Sequence, residues 1–230
     1  MIEALDVHKT YRRGTVEVNA VRGVSLKIEA GEMVAIVGPS GSGKSTLLNL
    51  LGALDRPTTG EVLIAGARLS GMDDAARTRL RRDKVGLVFQ FFNLLPLLTA
   101  RENVALPLLL AGVARAEAER RADEMLGKVG LAARGDHTPD EMSGGEMQRV
   151  AVARALGGRP RVILADEPTG NLDSSAGAGV LELLRGATRD AGCAVVMVTH
   201  DPRAAAVADR VLEFKDGLLV SERARPSGAA

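Results

Sequence analysis

The 230-residue chain predicts an α/β fold: a mostly parallel sheet, an antiparallel β region at its N-terminal side and an attached helical lobe. Three observations carry this prediction. Apolar runs at Met33–Val37, Val85–Phe89, 162–165 and Ala194–Val198 are each followed by a helical pattern, and their apolar residues are consecutive, as in parallel strands covered on both faces. Ahead of them, 2–11 and Val16–Ile28 alternate more loosely (Val16, Val18, Ala20; Val24, Leu26, Ile28), the pattern of antiparallel edge strands. Between about 93 and 157 the pattern is helical throughout, over 102–111, 115–129 and a helix opening near Gly145.

The remaining elements follow in order. A helix after Met33–Val37 carries Leu47, Leu50, Leu51 and Leu54. After Ser174, Val180, Leu183, Leu184 and Ala187 recur at helical spacing and predict one face laid on the sheet. Phe214 belongs to a late strand and to the core. One domain then spans 1–223, with the lobe at about 93–157 inserted in the α/β core. The tail 224–230 has no apolar spacing and reads as disordered.

Composition narrows the function. Thirty Lys and Arg against 29 Asp and Glu leave a net charge of +1, too balanced for strong sequence-independent attraction to phosphate backbones, so no nucleic-acid partner is expected. The basic run Arg77, Arg79, Arg81, Arg82 and Lys84, interleaved with Asp73, Asp74 and Asp83, reads as a solvated helix face. The single cysteine, Cys193, cannot form an internal bridge, and 1–13 lacks a signal-type apolar core, which points to the cytosol. The longest apolar stretch, 104–114, contains Pro107 and Gly112 and is about half the ~20 residues of a membrane span. Aromatic content is 2%, with no Trp, one Tyr and four Phe, so Tyr11 becomes a question.

Gly38-Pro39-Ser40-Gly41-Ser42-Gly43-Lys44-Ser45-Thr46 matches G-x-x-x-x-G-K-[ST] between a predicted strand and a predicted helix. Glycines let successive N–H groups turn inward, and the helix N-terminus adds partial positive charge, so the loop can cradle phosphate oxygens. Lys44 is placed to reach β/γ oxygens and Ser45 to offer a hydroxyl to Mg²⁺. A nucleoside triphosphate with Mg²⁺ is therefore expected.

A second strand, 162–165, ends in the adjacent carboxylates Asp166 and Glu167, at the strand end where open parallel sheets bind ligands. Two acids suit two tasks, Asp166 in the Mg²⁺ shell and Glu167 as general base toward an attacking water. His200 follows the strand Ala194–Val198 and faces the same crevice. Ser143-Gly144-Gly145-Glu146 opens a helix, with Ser143 as N-cap and Glu146 in capping-box position. A capping box needs no paired glycines, each of which costs about 1 kcal/mol of helix propensity, so these glycines suggest close approach of a phosphate.

With these motifs in order, together with Gln90 and Asn171-Leu172-Asp173, the sequence resembles the ATP-binding subunits of ABC transporters, whose fold is a P-loop NTPase core; the likeness runs from about 5 to 220. The longer strings Phe89-Gln90-Phe91-Phe92-Asn93-Leu94-Leu95-Pro96 and Ala100-Arg101-Glu102-Asn103 are most similar to the lipoprotein-release, macrolide-efflux and cell-division group. The resemblance implies that the cofactors are ATP and Mg²⁺, that Tyr11 stacks on adenine, and that Gln90 joins the Mg²⁺ shell with Ser45 and Asp166 while sensing a membrane partner. It implies that Ser143, Gly144, Gly145 and Glu146 meet ATP held by a second subunit, with Asp173 at that interface. Glu167, His200 and Lys44 would be the catalytic residues of a transport-coupled ATPase. A head-to-tail homodimer would sandwich ATP, and the lobe would dock on a membrane permease, holding the protein at the cytoplasmic face of the inner or plasma membrane. Export of lipoprotein, peptide or macrolide is the expected task; a cell-division-type regulator or an amino-acid importer ATPase are alternatives. Two positions depart from the pattern, Met142 for Leu and Met147 for Gln.

Overall fold

The computed structural model describes residues 1–14 and 16–224. The strands are β1 (Ile2–Arg13), β2 (Val16–Ile28), β3 (Met33–Val37), β4 (Thr59–Ile64), β5 (Ala67–Arg68), β6 (Val85–Phe89), β7 (Val162–Asp166), β8 (Ala194–Val198), β9 (Arg210–Lys215) and β10 (Leu218–Ala224). The α-helices are α1 (Lys44–Leu51), α2 (Asp74–Lys84), α3 (Ala100–Leu110), α4 (Arg115–Lys128), α5 (Gly144–Gly157), α6 (Ser174–Ala191) and α7 (Pro202–Ala205).

Three of the four consecutive apolar runs, β3, β7 and β8, are interior strands, and the fourth, β6, lies at the sheet edge. One sheet has the order β10-β9-β3-β8-β7-β6, in which β9, β3, β8, β7 and β6 run parallel and β10 closes the edge antiparallel. The looser alternation falls in a second, antiparallel sheet of order β2-β1-β4-β5. Helix α1 lies in the core that joins the sheets: Leu47, Leu48, Leu50 and Leu51 are buried with Ile2, Ile28, Ile36, Ile64 and Leu164. Burial of each such side chain contributes roughly 1.5–3 kcal/mol. Leu54, expected on the same helix, is instead 41% exposed beyond it. Gly52 caps α1, and Ala53, at φ 56°, turns the chain away.

The far side of the parallel sheet is covered by α5 and α6, through Val152, Ala155, Val180, Leu184 and Ala187. The helical lobe has its own core, with Val104, Leu108, Ala118, Ala122 and Leu126 from α3 and α4 and Val150 and Ala153 from α5. Helix α5 therefore belongs to both, lobe on one face and sheet on the other. The expected tail loses Ala224 to β10, where it pairs with Arg210; 225–230 lie outside the described residues.

Parallelism decides where chemistry can gather. Because β3, β8, β7 and β6 are adjacent and run the same way, their C-terminal ends share one edge of the sheet. Those ends carry the phosphate-type loop, His200, the acidic pair and Gln90.

Candidate functional site

The loop after β3 is shaped by close approach. A Cβ on Gly38 would lie 1.9 Å from the Phe214 carbonyl oxygen, and one on Gly43 would lie 2.1 Å from that of Ala20. The loop is thus wedged between β2 and the end of β9, and Gly217 N–H also donates to Ser42 O at 2.9 Å. Helix α1 has no side-chain N-cap and no acidic residue in its first turn, leaving its orphan N–H groups and dipole for an anion. Lys44 is 8% exposed, and its Nζ donates to the carbonyls of Gly38 (2.9 Å) and Pro39 (2.7 Å), curled over the loop it serves.

At the end of β7, Ser45 Oγ donates to Asp166 Oδ1 at 3.3 Å. Burial raises the Asp166 pKa, with Ser45 working against it and the neighbouring Glu167 charge adding to it. A cation at this carboxylate would reverse that penalty. Glu167 has φ 48°, left-handed for a residue with a Cβ, a conformation that costs about 1–3 kcal/mol and persists only where neighbours impose it. They do: its N–H donates to Val198 O (2.9 Å) and its carbonyl accepts from Gly170 N–H (3.0 Å). The carboxylate lies 2.9 Å from His200 Nδ1. That hydrogen bond and the Glu167 charge raise the His200 pKa.

Gln90, just past β6, exchanges hydrogen bonds with Asn171: its Nε2 donates to Asn171 Oδ1 (3.3 Å) and its carbonyl accepts from Asn171 Nδ2 (3.0 Å). Tyr11 lines the same cleft, 40% exposed, with Lys9 Nζ 4.8 Å from its ring centroid. The cleft has a volume of about 1320 Å³ and is lined by the whole loop 38–46 with Tyr11, Gln90, Asp166, Glu167 and His200. Asn19, Arg22, Asp216 and Gly217 also line it. They sit on an edge strand and a hairpin turn without any motif, so no local signal could have found them.

Ser143, Gly144, Gly145, Glu146 and Asp173 do not line this cleft. Ser143 and Glu146 form the expected capping box on α5. The Glu146 carboxylate accepts from Ser143 N and Oγ, both at 2.9 Å, and pairs with Arg134 at 3.1 Å, which lowers its pKa. Gly145 packs close to α6, where a Cβ would stand 2.9 Å from Ala176 Cβ. Asp173 caps α6, accepting from Ser175 N and Ala176 N, and borders a separate cavity of about 420 Å³.

Gln148, on α5 and fully buried, donates from Nε2 to Phe89 O (3.2 Å) and Pro168 O (2.6 Å), the residues flanking Gln90 and Glu167.

The model of the ABC transporter family matches residues 21–170. The lipoprotein-releasing system ATP-binding protein LolD of Chromohalobacter salexigens is 50% identical over 219 residues, covering 95% of this chain and 92% of that protein. The macrolide export ATP-binding/permease protein MacB of Salmonella typhimurium is 49% identical over 96% of this chain, which corresponds to 34% of that longer protein. Among solved structures, a dimeric ATP-binding cassette in a post-hydrolysis state, bound to ADP and Pi, superposes with a TM-score of 0.91 at 45% identity, covering 99% of this chain and 100% of that one. A loop built for an anion, a strained carboxylate beside it and a glycine turn held outside their cleft are thus arranged on a backbone shared with these proteins, and the chain belongs to the ABC transporter family as an ATP-binding cassette.

Proposed function

We propose that the protein is the ATPase subunit of an ABC transporter, coupling head-to-tail dimerisation and ATP hydrolysis to a conformational change in a membrane permease of the lipoprotein, peptide or macrolide export type. One observation carries this reading: the phosphate loop, Asp166, Glu167 and His200 share a cleft that Ser143, Gly144, Gly145 and Asp173 do not reach. A second copy supplies those groups.

In this reading the loop 38–46 and Lys44 hold the triphosphate, and Tyr11 stacks on adenine. Lys44 exchanges its two loop carbonyls for phosphate oxygens. Glu167 takes the proton of the attacking water, and His200 orients that carboxylate and contacts the γ-phosphate. Mg²⁺ fits the donor set, because a hydroxyl (Ser45), a carboxylate (Asp166) and an amide carbonyl (Gln90) are hard oxygen ligands. Those three residues would hold the ion together with oxygens of the nucleotide and water. When bound, the ion neutralises charge on the β- and γ-oxygens.

Coupling to a membrane rests on the lobe. Phe91 (72% exposed), next to Gln90 in the chain, and Leu97 (92%) and Leu110 (72%) of the lobe present apolar surface, while no helix among the described residues is long and apolar enough to cross a membrane. The lipoprotein-releasing and macrolide-export relatives favour export. Glu167→Gln tests the mechanism: it should retain ATP binding, lose turnover and accumulate an ATP-dependent dimer by size-exclusion chromatography with light scattering. Wild-type turnover in that variant, or ATP binding without any dimer, would overturn it.

A further inference from the structure

Tyr11 stands on a brace that none of the sequence motifs contains, and we infer that Asp55 is the positioning residue that sets the nucleobase platform of the cleft. This rests on the reading of Tyr11 as the nucleobase contact. Asp55 divides its two oxygens between two partners. Oδ2 accepts from the Tyr11 hydroxyl at 2.7 Å, and Oδ1 accepts from Lys9 Nζ, also at 2.7 Å. Lys9 Nζ in turn donates to Arg56 O at 2.8 Å and sits over the Tyr11 ring, 4.8 Å from its centroid.

One carboxylate therefore fixes both the far end of the ring and the cation covering one of its faces. The opposite face is the one left for a base. A half-exposed tyrosine with a free hydroxyl would sample several side-chain rotamers, and ordering it on binding would reduce affinity. Pinned at the phenol and backed by an ammonium drawn to the ring's negative face, the ring is already oriented. Asp55 does not itself line the cleft, so it acts through Tyr11.

The brace has a foundation in α2. Arg77 Nη2 (3.0 Å) and Arg81 Nη1 (2.8 Å) both donate to the Ala53 carbonyl, two residues before Asp55. Arg56 Nη2 donates to Asp74 Oδ1 at 2.8 Å on the other side of Asp55. Arg77 is only 6% exposed, so this part of the basic run is not a solvated face but an anchor for the segment 53–56. Arginines and a loop carbonyl hold Asp55, and Asp55 holds the ring.

The test separates base from phosphate. Calorimetric affinities for Mg²⁺-ATP and Mg²⁺-tripolyphosphate are measured for wild type, Tyr11→Ala, Asp55→Ala and Asp55→Asn. Tyr11→Ala and Asp55→Ala should each weaken ATP about tenfold or more, the scale of one base stack, with tripolyphosphate changed less than about twofold. Asp55→Asn, which keeps an oxygen for the phenol, should recover part of the loss. With no Trp and one Tyr in the chain, tyrosine emission reports Tyr11 alone, and its response to ATP should shrink in Asp55→Ala. If Tyr11→Ala weakens ATP and Asp55→Ala does not, the brace is refuted while the base contact stands. If Tyr11→Ala leaves ATP affinity unchanged, the underlying reading falls and the inference with it. Equal weakening of ATP and tripolyphosphate by Asp55→Ala would make Asp55 a general structural residue and overturn the proposal.

Discussion

Gly43→Ala tests whether the phosphate loop owes its shape to the approach of β2. Two costs are separable. At φ 101° the residue lies outside the left-handed well that a Cβ tolerates, which costs about 1–3 kcal/mol. The new Cβ would also stand 2.1 Å from Ala20 O, where ordinary contact begins near 3.4 Å, so β2 and the loop must separate by more than an ångström. Overpacking of that kind costs about 1–3 kcal/mol, for a total of about 2–6 kcal/mol against a typical stability of about 5–15 kcal/mol. Gly41→Ala is the control: φ is 77°, but nothing lies within 4 Å of its Cβ, so it bears backbone strain alone. Urea unfolding with linear extrapolation measures both. Gly43→Ala should be the more destabilised by about 1–3 kcal/mol and should bind Mg²⁺-ATP more than about tenfold more weakly than the control, since a 1 Å displacement breaks a network of short hydrogen bonds. Equal unfolding free energies, or an unaltered ATP affinity in Gly43→Ala, would refute the argument.

The Glu167–His200 pair predicts a titration. The His200 pKa is raised by its hydrogen bond to Glu167, so NMR should show the His200 resonance titrating above the ordinary histidine value of about 6.5, and Glu167→Gln should return it toward that value. Because the folded pKa is raised, any stability from the pair is full below about pH 6.5 and fades as pH rises through the folded value. His200 is 73% exposed, so solvent screens the gain and the pH effect should be small in unfolding and clear in turnover. Gln148→Leu strips the donor from Pro168 O and one of the two donors of Phe89 O, which keeps Phe92 N–H at 3.3 Å, but also removes Oε1, which is buried without a partner; with each orphaned group worth about 1–3 kcal/mol, loss and relief largely offset and a net loss of no more than about 2 kcal/mol is expected by chemical denaturation. Leu97→Asp should change stability by less than about 0.5 kcal/mol and leave ATP affinity intact, while co-purification with the membrane partner is lost.

Much of this was readable in advance where local chemistry was decisive. Strands β3 and β8 fall on the apolar runs that announced them, because burial on both faces leaves no choice of residue type, and β6 falls on its run although, at the sheet edge, its residues alternate between buried and half-buried. Strand β4 was not read: its apolar residues Val62, Leu63 and Ile64 are a short run behind Thr59, Gly60 and Glu61, and its identity comes from pairing with β1. Leu54 kept the helical spacing of Leu47, Leu50 and Leu51, but Gly52 ended the helix first. The basic residues of α2 show the sharper limit. A charge pattern along one helix reveals Asp partners nearby, and cannot reveal that Arg77 and Arg81 end on a carbonyl 24 and 28 residues upstream. Of the motif residues, the loop 38–46, Asp166, Glu167 and His200 gather in one cleft because each lies at or just past the end of a strand of the same parallel sheet. Asp55 and Arg22 were not legible in the sequence, since what places them is the meeting of distant segments.

The glycine turn at Ser143 shows why an unfinished site can still be a well-prepared one. A capping box satisfies the first donors of α5 by bringing the Glu146 carboxylate to the helix N-terminus, where an incoming phosphate would be repelled by it. Arg134 stands 3.1 Å from that carboxylate and cancels the charge locally, leaving the N-terminal N–H groups and their partial positive charge as the dominant field. Glycines 144 and 145 add no side chain to keep a ligand away, and Gly145 has α6 packed behind it. The carboxylate at this turn is therefore paired, and the cleft lined by the loop 38–46 does not include the turn. In the proposed reading this turn is the group that a second copy would offer, and ATP held between two such chains would join each loop to the other's turn.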